Sequence, residues 1–127
     1  MPEILLIEDD LKFARMVEKI MTPHGYVIHH AANGLDGLRL ARQITADIIL
    51  LDMHLPDLDG KAIVVTLRGT IKRGTIPIVA LTAESGDRAK RIALALGCEY
   101  FISKPIDTRA FPGQIGAIIE SAHSEAK

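Results

Sequence analysis

Apolar residues along this chain keep two alternating rhythms. Short aliphatic runs, Ile4 to Ile7, Ile48 to Leu51 and Ile76 to Leu81, are separated by stretches in which apolar positions return every three or four residues. The runs read as strands buried on both faces, as in a parallel sheet covered by helices. The intervening stretches read as helices with one apolar face.

In chain order, the strand Ile4–Ile7 is followed by a helix over 10 to 22 carried by Phe13, Met16, Val17, Ile20 and Met21. Asp10 is its N-cap, and Pro23-His24-Gly25 stops it. Tyr26 to His30 is less aliphatic, as an edge strand would be. Asn33-Gly34 opens a second helix, with Leu38 and Ala41 on its face, running to Gln43. After the central run comes a turn, Pro56-Asp-Leu-Asp-Gly60, then a helix over 60 to 68 with Ile63 and Leu67 on one side. Gly69 and Gly74 bracket a polar connection containing Lys72 and Arg73. A fourth strand, Ile76 to Leu81, tolerates its proline near the start. Ala89, Ile92, Ala93 and Leu96 mark a helix ended by Gly97, a C-cap residue. Tyr100 to Ile102 is the last strand, and Phe111, Ile115, Ile118, Ile119 and Ala122 form the closing helix.

Strand then helix, five times over, predicts an α/β fold: a flavodoxin-like (βα)5 doubly wound parallel sheet in the order 2-1-3-4-5. The 127 residues make one domain, 1–127, with no repeat or linker. Its 15 basic and 16 acidic side chains nearly cancel, which gives no reason to expect nucleic acid or a membrane surface as a direct partner. Cys98 has no second cysteine to pair with and reads as a small buried filler. No apolar stretch nears the roughly 18 residues of a membrane helix, and the N-terminus lacks a signal-peptide layout, so a cytoplasmic location is expected.

The chemistry collects at the strand ends. In open α/β sheets, ligands bind beyond the carboxyl ends of the strands, at the switch point between neighbours. The predicted order puts Glu8 and Asp9 after strand 1 beside Asp52 after strand 3, with Thr82 arriving from strand 4 and Lys104 from strand 5. Carboxylates packed together repel unless their pKa values rise or a cation joins them. An all-oxygen donor set suits Mg²⁺ better than zinc. Asp52 would then serve as nucleophile for a phosphoryl group, with Lys104 and the Thr82 hydroxyl on the phosphoryl oxygens.

Each residue has a plainer reading. Taken alone, Glu8, Asp9 and Asp10 serve equally well as capping acids. Asp57 and Asp59 read as turn and cap residues, Thr82 as a cap, Lys104 as a solvated loop lysine and Phe101 as core. His29 and His30 are neighbours on a strand, point to opposite faces and read as surface. Arg88, Lys90 and Arg91 read as a solvated helix edge.

Together, Glu8-Asp9, Asp52 with Leu55-Pro56 and Asp59-Gly60, Thr82-Ala83 and Lys104-Pro105, in that order, resemble the receiver domain of two-component response regulators over the whole chain. The resemblance implies phosphorylation of Asp52 by a histidine kinase or histidine phosphotransferase. It also implies Mg²⁺ held by Glu8 (directly or through water), Asp9, Asp52 and the backbone carbonyl of His54, with Thr82, Ala83 and Lys104 at the phosphoryl group. Phe101 would be the switch aromatic on the face made by helix 4, strand 5 and helix 5. Many family members have Tyr there, so an output that needs a ring hydroxyl is not expected. His54 and Glu84 stand where the family tunes hydrolysis. The implied partners are a downstream protein target or a phosphorelay, with a phosphorylation-dependent dimer as a further form. The chain past Pro105 holds only a helix and a polar tail, so a single-domain switch is expected, the alternative being a receiver excised from a multidomain regulator. An Mg²⁺-dependent phosphatase with Asp52 as nucleophile is the competing reading. It is disfavoured because such enzymes carry a second Asp where this chain has His54, and because there is no room for a cap.

Overall fold

A computed structural model describes residues 1–70 and 76–125. Five parallel strands, β1 (Glu3–Ile7), β2 (Val27–Ala31), β3 (Ile48–Asp52), β4 (Ile78–Thr82) and β5 (Tyr100–Ser103), form one sheet in the order β2-β1-β3-β4-β5. The helices are α1 (Leu11–Met21), α2 (Gly34–Gln43), α3 (Gly60–Thr70), α4 (Gly86–Leu96) and α5 (Phe111–Glu125), and a 3₁₀ turn over Thr22–His24 follows α1. This is the flavodoxin-like arrangement that the alternating pattern implies. The polar connection with Lys72, Arg73 and Gly74 lies outside the described residues.

Strand side chains alternate between two cores, because successive residues of a strand face opposite sides. Ile4, Leu6, Ile48, Leu50, Val79, Leu81 and Ile102 meet Val17 and Met21 of α1 and Phe111 and Ile115 of α5. Leu5, Ile7, Ile49, Leu51, Ile78 and Ala80 meet Ile63, Val64 and Leu67 of α3 and Ala93 of α4. Both faces of the central strands are therefore covered, which explains their unbroken aliphatic runs.

Some element ends fall where expected and others differ in small, explicable ways. Asp10 caps α1 through the amides of Lys12 and Phe13. The Pro23 stop is a 3₁₀ turn closed by Gly25 at φ 88°. The fourth strand begins at Ile78, since Ile76 and Pro77 precede the ladder, and it takes in Thr82. Gly69 lies inside α3 rather than ending it. The stretch expected as a polar tail is helical as far as Glu125. Gly97 ends α4 in the left-handed conformation at φ 90°, as a C-cap glycine does. Ser85 takes the N-cap position of α4 without a side-chain capping bond.

Candidate functional site

Register and strand parity assemble the site. Ile7 pairs with Leu51, so one step further Glu8 and Asp52 stand abreast. Two ladder-like bonds carry the pattern past the strand ends: Glu8 N–H to Ala31 O at 2.9 Å, and Lys104 N–H to Thr82 O at 2.7 Å. Glu8, Asp52 and Lys104 share the parity of Leu6, Leu50 and Ile102, which face α1 and α5. Thr82 and Phe101 take the opposite parity. Phe101 packs half-buried on the α3 and α4 side with Ala80 and Leu96.

The acids lie close together and mostly out of water. Glu8 is fully buried, Asp52 is 5% exposed and Asp9 is exposed. Each offers an oxygen within 4.8 Å of the others, the one cluster of three or more such side chains among the described residues. Lys104 Nζ donates to Glu8 Oε1 at 2.7 Å and lies 3.6 Å from Asp52 Oδ1. Its other side meets the Phe13 ring, 4.5 Å from the centroid. The amide of Asp10 donates to Glu8 Oε2, and that of His54 to Asp52 Oδ1.

Burial, reinforced by the hydrogen bond with Asp52, pushes the Glu8 carboxyl up to about 7, although Lys104 and the Asp10 amide pull the other way. Burial also acts to raise the Asp52 carboxyl. There the bond from Glu8, the His54 amide and the Lys104 charge outweigh it, and the net shift is downward. Of the pair, Glu8 is therefore the carboxyl that takes up a proton first as pH falls. Three carboxylates against one ammonium leave a net negative pocket with only oxygen donors, a donor set that suits a hard divalent cation.

Thr82 is buried and its hydroxyl accepts from the Glu84 amide at 3.0 Å, while Ala83 is exposed. Ser103 Oγ donates to the Glu84 carbonyl at 2.7 Å, tying the β4–α4 turn to the end of β5. Lys104–Pro105 is a cis peptide. The side chain of His54 is exposed.

Asp52 is not an exposed carboxylate, because the ends of β1 and β3 shelter it. Lys104 makes its short contact with Glu8 rather than with Asp52. Three further contributors were not singled out from the sequence. Phe13 lies on a helix face that reads as core. Asp57 reads as a turn residue, yet it accepts from the Gly34 and Leu35 amides at 2.8 and 3.0 Å across the loop. His30 is a half-buried residue whose Nε2 donates to the Glu8 carbonyl at 2.7 Å. A carbonyl can only accept, so that nitrogen carries the proton. No sequence signal marks these contacts, since each joins residues that the fold alone brings together. His29 goes elsewhere, to Glu3.

Residues 4–115 match the family model for the response regulator receiver domain. The chain is 34% identical over 126 residues to the transcriptional regulatory protein AfsQ1 of Streptomyces coelicolor, covering 99% of this chain and 55% of that protein. Over 117 residues it is 32% identical to hybrid signal transduction histidine kinase B of Dictyostelium discoideum, covering 84% of this chain and 6% of the kinase. Among solved structures, the receiver domain of the sensor histidine kinase PA1611 of Pseudomonas aeruginosa, which has a magnesium ion coordinated in its active-site cleft, superposes with a TM-score of 0.78 at 28% identity, covering 94% of this chain and 95% of that one. The chemotaxis protein CheY4 of Vibrio cholerae shares the fold at a TM-score of 0.84, with 24% identity over 93% of this chain and 98% of that one. The chain belongs to the response regulator receiver family, a signalling module rather than a turnover enzyme. It spans about half the length of the curated relatives it matches. Among the described residues no helix is long and apolar enough to cross a membrane.

Proposed function

We propose that this chain is a phosphoacceptor switch in which Asp52 takes a phosphoryl group from the phosphohistidine of a histidine kinase or histidine phosphotransferase. The observation that carries the reading is the convergence of Glu8, Asp9 and Asp52 within 4.8 Å, with Lys104 Nζ bonded to the first and 3.6 Å from the last. An ionised Asp52 oxygen attacks phosphorus, the phosphorus–nitrogen bond breaks, and the imidazole leaves with the electron pair and is protonated. Glu8, Asp9, Asp52 and the His54 backbone carbonyl would hold Mg²⁺, which when bound supplies charge neutralisation for the phosphoryl oxygens.

Lys104 then turns from Glu8 to a phosphoryl oxygen. Thr82, released from the Glu84 amide, donates its hydroxyl to another, next to the Ala83 backbone. Phe101 shares the Thr82 side of the sheet, so this movement opens room for the ring to turn inward and reshapes the face made by α4, β5 and α5. The face would bind a downstream protein target or a second copy of the chain, or Asp52 would pass the phosphoryl group along a relay. Residues 1–127 act as one receiver unit in a cytoplasmic pathway.

Incubation with acetyl phosphate and Mg²⁺ tests the assignment. Wild type should acquire one acid-labile phosphoryl group and Asp52→Asn none, with unchanged circular dichroism. Undiminished labelling of Asp52→Asn would refute it.

A further inference from the structure

On helical spacing, Phe13 belongs with Met16 and Ile20, a half-buried flank beside the fully buried line of Ala14, Val17 and Met21. Packing against the core would be met by any apolar side chain of similar size. What an aliphatic residue could not supply is the contact on the other side of the ring, with Lys104 Nζ 4.5 Å from its centroid. A ring face attracts a cation through its quadrupole and takes up none of the carboxylate oxygens around it.

We propose that Phe13 is a positioning residue for Lys104: the ring holds the ammonium over the acid cluster, 2.7 Å from Glu8 Oε1 and 3.6 Å from Asp52 Oδ1, and so within reach of a phosphoryl group on Asp52. The last clause rests on the phosphoacceptor reading, whereas the placement of the ammonium does not.

Three features support it. Lys104 is a flexible side chain, 25% exposed, and needs more than one contact to be held. Any cation drawn to the acids competes with Lys104 for Glu8, but the attraction of the ring is untouched by that competition. Phe13 also sits in the first turn of α1, at the sheet edge where Glu8, Asp52 and Lys104 converge on the α1 side. The ammonium thus lies over the ring face while it bonds Glu8 Oε1 and approaches Asp52 Oδ1.

The test is a double-mutant cycle on the full chain, read by two methods. Beryllofluoride with Mg²⁺ serves as a mimic of the phosphoryl group. Phe13→Leu, which keeps apolar volume and loses the ring, should weaken beryllofluoride binding by about 2- to 30-fold, the range a cation–π contact implies. Phe13→Tyr should bind like wild type, and in a Lys104→Ala background Phe13→Leu should have no further effect. By NMR, the Lys104 ε-methylene protons should be shifted upfield by the ring in wild type and Phe13→Tyr, and lose that shift in Phe13→Leu. Phe13→Met replaces Phe13→Leu if the latter does not fold. Equal losses with and without Lys104 would make Phe13 a packing residue and overturn the proposal, as would a Lys104 resonance indifferent to the ring. A wild type that shows the ring-shifted lysine and takes no beryllofluoride overturns the phosphoacceptor reading instead.

Discussion

Glu8 is the residue whose ionisation the fold changes most usefully. Its carboxyl titrates at about 7 in the folded protein against 4.5 ordinarily, so the native state binds that proton more tightly than the unfolded chain does. Stability from this source is complete below about pH 4.5 and is lost as pH rises toward about 7. Asp52, shifted downward, has the opposite sign and acts at lower pH, below its ordinary 3.8. Metal-free protein should therefore lose melting temperature between pH 5 and 7.5, and Glu8→Gln should flatten that slope. A slope that survives in Glu8→Gln would place its origin elsewhere. Because metal ligands must be deprotonated, Mg²⁺ affinity measured calorimetrically should climb over the same interval and level off above it. That acids would gather at the end of β1 was legible from Glu8-Asp9. That Glu8, and not Asp52, would take up a proton first was not, because it depends on burial and on where Lys104 points.

Among the elements, α2 shows most clearly how local signals and tertiary contacts divide the work. Asn33 is legible as its start, and its side chain does accept from the Asp36 amide at 2.9 Å. The two amides before that are satisfied by Asp57, a residue of the loop that follows Asp52. Those backbone amide bonds, Gly34 first and Leu35 next, hold the Asp57 carboxyl below its usual range. The loop is thereby latched to a helix two elements earlier. Asp57→Ala should lower the midpoint of chemical denaturation and speed hydrogen exchange at Gly34 and Leu35, whose amides lose their acceptor. Unchanged exchange there would mean the latch contributes nothing. Gly37 explains the close seating of the same helix: a Cβ there would come within 2.6 Å of Ile7 Cδ1, so α2 approaches β1 only because position 37 has no side chain.

At the scale of the whole molecule, the parity of the strands separates two jobs. Glu8, Asp52 and Lys104 face α1 and α5, while Thr82 and Phe101 face α4. The Ser103 hydroxyl and the Lys104 amide link the two sides through Glu84 and Thr82. Occupation of Asp52 by beryllofluoride should change hydrogen exchange across α4 and β5 and leave β2 unaffected, and Lys104→Ala should abolish the change even at saturating beryllofluoride. A response in Lys104→Ala equal to that of wild type would remove Lys104 from the coupling. By itself the sequence determined the element order, the parallel sheet and the gathering of Glu8, Asp9 and Asp52 at the strand ends, because periodicity, turn residues and strand-end acids are local signals written within a few residues. Only the tertiary structure decided that Asp52 is sheltered, that Lys104 bonds Glu8 beneath the Phe13 ring, and that Asp57 and His30 brace neighbouring segments. Those contacts join residues far apart in the chain, and their energies depend on distance and exclusion of water, quantities that no linear spacing carries.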